Sequence, residues 1–239
     1  MARTVKPEAV AAKRREILNA AQRLVFTKGY EQMSIQDILD DVGISSGAFH
    51  HYFDSRGVLL EAFVEQIKQE TEKPLLPIIH DPKLTAIEKF QGFFDTLDRL
   101  RMAHKAEVVK LGRIWYADSN AIVRLKVDEA LRSQRAPLLA EIVRQGIQEG
   151  TFTAAYPDKA GEVIMSLLHG MGDTHLRLLL LLDQKRDDDE RLIEEIVATH
   201  AAYMDAVERV LGAPSHSFYR THAEGVKIWV AALRDDDHA

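Results

Sequence analysis

A chain of 239 residues, 46% hydrophobic and 28% charged, can bury the core of a small domain and a larger one, which excludes a disordered chain. It has no cysteine, so disulfides and thiolate-bound metals are excluded, and its longest apolar run, Leu178 to Leu182, is closed by Arg177 and Asp183 far short of a membrane span. The net charge of −6 is uneven: 8 Lys or Arg face 7 Asp or Glu up to Arg56, and 23 face 30 beyond it. Met1 to Pro7 is polar and basic with no apolar segment behind it, so no secretory signal and a cytoplasmic location are expected.

Alternating apolar and polar runs are scarce, so the predicted fold class is all-α. A first helix is predicted over 9–28, with Ile17, Ala21, Leu24 and Val25 on one stripe and Gly29 as a left-handed stop. Ser34 opens a second, short helix with Asp37 three residues on, as in a capping box, and Ile35, Ile38, Leu39 and Val42 face inward until Gly43. Ser45 or Ser46 caps a third helix running to about Phe53, anchored by Phe49 and Phe53 one turn apart. A fourth, over 55–73, carries Leu59, Ala62, Phe63 and Ile67. Pro74, Pro77 and Pro82 mark a stretch that cannot continue as regular helix, so the domain transition is placed between about 71 and 84. Further helices are predicted over 85–104, 105–117, 121–148 with Pro137 inside, 158–182 and 190–211, and Val226 to Leu233 can form one more short helix.

Ile35 to Val42, the turn Gly43-Ile44-Ser45, and Ser46 to Tyr52 match the helix-turn-helix plan. In that plan the first helix braces the second, whose N-terminal part enters a major groove about 12 Å wide. From Gly43 to Phe53 there is no acidic residue, although Asp40, Asp41 and Asp54 stand on either side; a carboxylate there would oppose the charge of DNA. Ser45, Ser46, His50, His51 and Tyr52 are the expected contacts to phosphates or base edges, with Gly47 and Ala48 letting the backbone approach. Arg56 and the basic residues Arg3, Lys6, Lys13, Arg14 and Arg15 can add phosphate neutralisation.

The run Arg15-Glu16-Ile17-Leu18-Asn19-Ala20-Ala21, then Phe26 to Tyr30, Ser34 to Ile38, and Gly43 to Arg56 closely resembles the DNA-binding domain of TetR (tetracycline-repressor-like) regulators in order and spacing, strongly over residues 12–63. The later stretch Ile142 to Phe152 is similar to the family's seventh helix and Gly-Phe turn. The resemblance implies a three-helix DNA-binding domain, 1–56, joined through the fourth helix, 55–73, to a larger helical ligand-binding and dimerisation domain, 74–211, with a C-terminal extension, 212–239. It also implies that Ser34 is a phosphate-contacting hydroxyl and that Arg56 stands for the family's usual Lys. His50 departs from the usual Tyr, and Gly57 from a helix former. The partners implied are double-stranded operator DNA, a second copy in a homodimer, and a small-molecule effector that releases DNA; no membrane is expected.

Candidate ligand-pocket residues are Phe94, His104, Trp115, Tyr116, His169 and Asp173, although aromatic residues at helical spacing also fit ordinary core. His169 and Asp173, four apart, share a helix face, whereas His175 lies off it, so a metal site is not expected. The apolar Leu178 to Leu182 run fits buried core or, more naturally, a homodimer seam. No nucleophile motif, Gly-rich phosphate loop, zinc-binding His pair or repeated Glu-x-x-His occurs, so neither an enzyme nor a cofactor is expected. A ligand-responsive repressor is the predicted function; an activator, or a helical enzyme or cofactor carrier, is the rival.

Overall fold

The computed structural model describes residues 7–103, 112–184 and 189–235, and among these it is helical, with no strand. The chain divides into two compact units. One comprises Met1–Gln69 with Arg113–Ala130, and the other Glu70–Gly112 with Leu131–Ala239.

The first unit is built on three helices, α1 (Pro7–Thr27), α2 (Ile35–Val42) and α3 (Ser46–Tyr52), followed by α4 (Arg56–Glu72), which ends among residues of the second unit. Pro7 suits the first position of α1, where its missing N–H is not needed. At the other end Gly29 takes φ +86°, a left-handed value that lets the chain turn sharply toward α2. Ile17, Ala20, Ala21 and Val25 on one stripe of α1 are buried with Ile38 and Leu39 of α2, Phe49 of α3, and Leu59, Leu60 and Phe63 of α4. Each of the larger side chains, the two alanines apart, contributes about 1.5 to 3 kcal/mol when fully buried, which is what holds helices too short to persist alone. The unit also takes in a single 3₁₀ turn, Asp118–Asn120, and the beginning of α7 (Ala121–Gln148), with Val123 and Val127 buried.

The second unit contains α5 (Leu76–Ile79), α6 (Ala86–Ala103), the rest of α7, α8 (Pro157–Gln184), α9 (Asp189–Leu211) and α10 (Ala223–Asp235). The proline-rich stretch is not wholly irregular. Pro77 lies in the first turn of α5, where a missing N–H costs nothing, so a single helical turn forms there with Ile79 fully buried. Residues 112–115 are helical, whereas 116–117 turn out of the helix; residues 105–111 of the helix predicted over 105–117 lie outside the described residues.

Phe90, Phe93, Leu139, Val143, Phe152, Ile164, Val207 and Phe218 lie in the main core of this unit. A smaller cluster joins Ile193 and Ile196 of α9 to Val226 and Val230 of α10, with Leu178 and Leu179 of α8 packed on it. The Leu178–Leu182 run is therefore partly covered by the chain's own last helix, which runs longer than the short helix expected from sequence. Phe218 ties the segment before α10 into the main core, its ring 5.5 Å from that of Phe90 and 6.0 Å from that of Phe94. Beneath it, buried Glu208 accepts from the N–H groups of His216 and Phe218 and pairs with both terminal nitrogens of Arg220, at 2.9 and 2.8 Å. These bonds hold His216 at φ +63°, a conformation that a non-glycine residue adopts at a cost.

Candidate nucleic-acid interface

The turn between α2 and α3 is set by two serines and a glycine. Ser34 caps α2: its hydroxyl accepts from the Asp37 N–H at 3.1 Å, while the Asp37 carboxylate accepts from the Ser34 N–H and hydroxyl, each at 2.7 Å. Gly43 ends that helix at φ +67° and donates its N–H to the Leu39 carbonyl. Ser45 then caps α3, its hydroxyl accepting from the Ala48 N–H at 3.2 Å.

Phe49 and Phe53 are fully buried, so α3 is clamped along one side and its opposite side is fixed outward. Ser45, Ser46, Gly47, His50 and His51 are exposed on that outward side, and Ala48 and Tyr52 are half-buried at its margins. The His50 ring meets Phe49 edge-on at 5.5 Å, and His51 meets Tyr52 edge-on at 5.1 Å, so neighbouring rings limit both imidazoles. Ser34 is exposed at the head of α2. It is a cap first, and its hydroxyl already donates to Asp37.

Arg56 is half-buried, and its guanidinium does two jobs within the unit. Nη1 donates to the Met33 carbonyl at 2.8 Å, and the group lies 4.2 Å from the centre of the Tyr30 ring. This brace joins the head of α4 to the α1–α2 turn, a role that the phosphate expectation did not contain. Of the basic residues near the N-terminus, Lys13 pairs with Glu16 at 2.6 Å and Arg14 lies 4.8 Å from the Phe53 ring centre. Arg3 and Lys6 lie outside the described residues.

Two acidic residues of α2 are paired locally. Lys28 reaches Asp37 at 2.7 Å, and Arg23 pairs with Asp41. The Lys28 ammonium, then the Ser34 N–H and hydroxyl, hold the Asp37 carboxyl well below the usual carboxylate range, so it stays an ionised cap.

Of the expected pocket residues, Phe94 joins the aromatic cluster of the second unit, 6.3 Å from Phe90 and 5.8 Å from Phe93. Trp115 and Tyr116 belong to the first unit and are half-buried. The Trp115 ring lies 6.2 Å from Phe26, its carbonyl accepts from Arg124 at 2.8 Å, and the Arg124 guanidinium lies 4.9 Å from the Tyr116 ring. His169 and Asp173 do come together, 3.6 Å apart, with Arg177 3.9 Å from the same carboxylate, along an outward face of α8. His104 lies outside the described residues. His175 stacks instead on His200 of α9, the rings parallel within 6° and 5.6 Å apart. Among the described residues no group of three or more His, Asp or Glu has an arrangement suited to a metal ion, and no helix is long and apolar enough to cross a membrane.

Two structural residues and one contact escaped the sequence reading. Glu208 carried a signal, a carboxylate set on the apolar stripe of Ile193, Ile196, Met204, Val207 and Leu211. Asn120 and the Tyr30–Arg56 brace carried none, since their partners are distant in sequence.

Residues 17–63 match the family described as bacterial regulatory proteins, tetR family, and residues 109–181 match the tetracyclin repressor-like C-terminal domain. The HTH-type transcriptional repressor KstR2 of Mycobacterium tuberculosis is 25% identical over 146 residues, which is 60% of this chain and 70% of that protein. The fatty acid metabolism regulator protein of Bacillus subtilis is 25% identical over 174 residues, covering 72% and 86%. Among solved structures, a SmeT–triclosan complex superposes with a TM-score of 0.61 at 17% identity, covering 89% of this chain and 97% of the other. A TetR-family regulator from Pectobacterium atrosepticum superposes with a TM-score of 0.57 at 21% identity, covering 88% and 100%. Sequence matches at both ends of the fold, together with an outward α3 on a three-helix base, lead to one conclusion: the chain belongs to the TetR family of bacterial transcriptional regulators.

Proposed function

We propose that this regulator is a repressor that binds a palindromic operator as a two-fold homodimer and leaves it when a small molecule binds the second unit. The observation that carries the DNA half of this reading is the outward side of α3, where Ser45, Ser46, Gly47, His50 and His51 stand exposed over buried Phe49 and Phe53. A rod held in this way presents hydroxyls and imidazoles to base edges and phosphates, and its small residues permit close approach. Ser34, Ala48, Tyr52 and Arg56 complete the proposed contact set. Repression is supported by the names of relatives such as KstR2, and response to a small molecule by the triclosan complex of SmeT. For release, the effector must bind the DNA-free conformation more tightly, because equal binding to both shifts nothing.

Selection of bound sequences from random DNA tests the reading. Two inverted half-sites about one helical turn, or roughly 34 Å, apart are expected. Recovery of no common sequence would overturn it. Screening small molecules against the selected site by fluorescence anisotropy then tests release; if every compound that binds the protein leaves operator affinity unchanged, the effector half fails.

A further inference from the structure

The chain has 10 histidines, and its first unit holds just His50 and His51, neighbours on the outward side of α3. Both are exposed, and each meets an uncharged ring of its own helix, His50 that of Phe49 and His51 that of Tyr52. Between Lys28 and Arg56 the sequence contains no Lys or Arg, whereas Glu31, Asp37, Asp40, Asp41 and Asp54 are acidic. A helix-turn-helix that must approach a polyanion thus carries no permanent cation in either of its helices. Imidazolium is the one positive charge that a side chain of α3 can offer.

The charged groups on the elements around α3 are largely engaged with one another. On α2, Asp37 is paired with Lys28 and Asp41 with Arg23, and Asp40 accepts from the Gln36 amide. On α1, Lys13 pairs with Glu16, and Arg14 lies over the ring of Phe53, the residue that ends α3. At the head of α4, Arg56 is held by the Met33 carbonyl and the Tyr30 ring, and Asp54 is exposed just before it. Carboxylates, ammoniums and guanidiniums as classes keep their charge between about pH 6 and 8, whereas imidazole is the class that changes it there.

We propose that operator binding is linked to proton uptake: His50 and His51 meet DNA phosphates as imidazoliums, so that this regulator holds its operator more tightly in mild acid. This inference rests on the operator reading above and adds a regulation to it. An imidazole against a phosphate binds its proton more tightly than one in water. Affinity for DNA therefore rises as pH falls through the histidine range, and the gain is lost as pH climbs past it. Each proton taken up per duplex bound changes affinity about tenfold per pH unit. Each imidazolium on a phosphate also displaces a counterion, so the dependence on salt steepens toward acid.

The test uses the full-length protein, with bound sequences selected from random DNA at about pH 6 and at about pH 7.5, on either side of the ordinary histidine value. Wild type and the double variant H50Q/H51Q, which keeps hydrogen-bonding side chains without the charge, are titrated by anisotropy on the recovered duplex across that range and at several salt concentrations. Calorimetry in buffers of different ionisation enthalpy counts the protons taken up. The wild type is expected to bind roughly tenfold more tightly at the acid end, with net proton uptake and a salt slope steeper by about one unit. H50Q/H51Q should lose all three trends. If the wild type takes up no protons, or H50Q/H51Q takes up as many because His200 or another histidine of the second unit is their source, the proposal is overturned. Should the double variant bind too weakly to titrate, H50Q and H51Q decide singly: a smaller uptake in at least one supports the proposal, and uptake equal to wild type in both overturns it. A selection that recovers no common sequence at either pH brings down the operator reading and this one with it, whereas a recovered operator bound equally at both brings down this one alone.

Discussion

Arg56 shows how one side chain can answer to two demands. Its sequence position pointed to a phosphate, whereas its geometry makes it a brace between the Met33 carbonyl and the Tyr30 ring. Replacing it with Ala is therefore expected to lower the thermal midpoint as well as affinity for every DNA sequence. The slope of affinity against salt separates the two demands: a fall of about one unit marks a lost phosphate contact, and no change leaves only the brace. At this scale the sequence was legible where the partner is close by. Ser34 and Asp37, three residues apart, declared their capping box, and Phe49 and Phe53 declared the buried side of α3. Asn120 bonds to Tyr30 across 90 positions, and no local pattern announces such a partner.

Helices are where the sequence reading and the structure agree most fully, because periodic apolar positions and end signals are local properties. The stops at Gly29 and Gly43 and the prolines all left marks, whereas the 3₁₀ turn Asp118–Asn120 and the short turn α5 escaped, the latter because a proline that breaks a helix interior is welcome in a first turn. The cap on α2 gives a measurable consequence: Ser34→Ala is expected to cost about 1 kcal/mol in denaturant unfolding, with weaker DNA binding because α2 braces α3. The α9–α10 connection depends instead on one buried carboxylate. Burial alone would raise the Glu208 pKa, but Arg220 and the N–H groups of Phe218 and His216 outweigh it and lower the value. Glu208→Gln leaves Arg220 without its counter-charge, and calorimetry should register a loss on the order of 3 kcal/mol. A midpoint equal to that of the wild type would show the pair to be dispensable.

Taken as a whole, the chain was legible as a helical regulator with a small N-terminal unit, but its division was less so. Residues 113–130 lie far along the sequence and yet belong to the first unit, an assignment fixed by long-range contacts and not by composition. Acid response is also a property of the whole. Burial lowers the pKa of His200, with Arg220 adding to the effect, while the Tyr219 carbonyl and Asp98 oppose it; His175 stacks on its face. The unfolded chain therefore binds a proton more readily than the folded one. Stability from this site is complete above the ordinary histidine value of about 6.5 and declines as pH falls toward the lower folded value. Thermal midpoints measured between about pH 7 and 5 should fall more steeply for wild type than for His200→Gln; parallel curves would discount the site. The Glu208 contribution persists to stronger acid, because its folded value is also lowered and is lost only as pH drops through it. Phe218 sets a practical boundary for anyone shortening this protein. A stop codon after Leu211, or a protease cut in the segment that follows, would strip the cover from Phe90 and Phe94 and leave aromatic rings in water, so the trimmed product should aggregate and bind hydrophobic dyes.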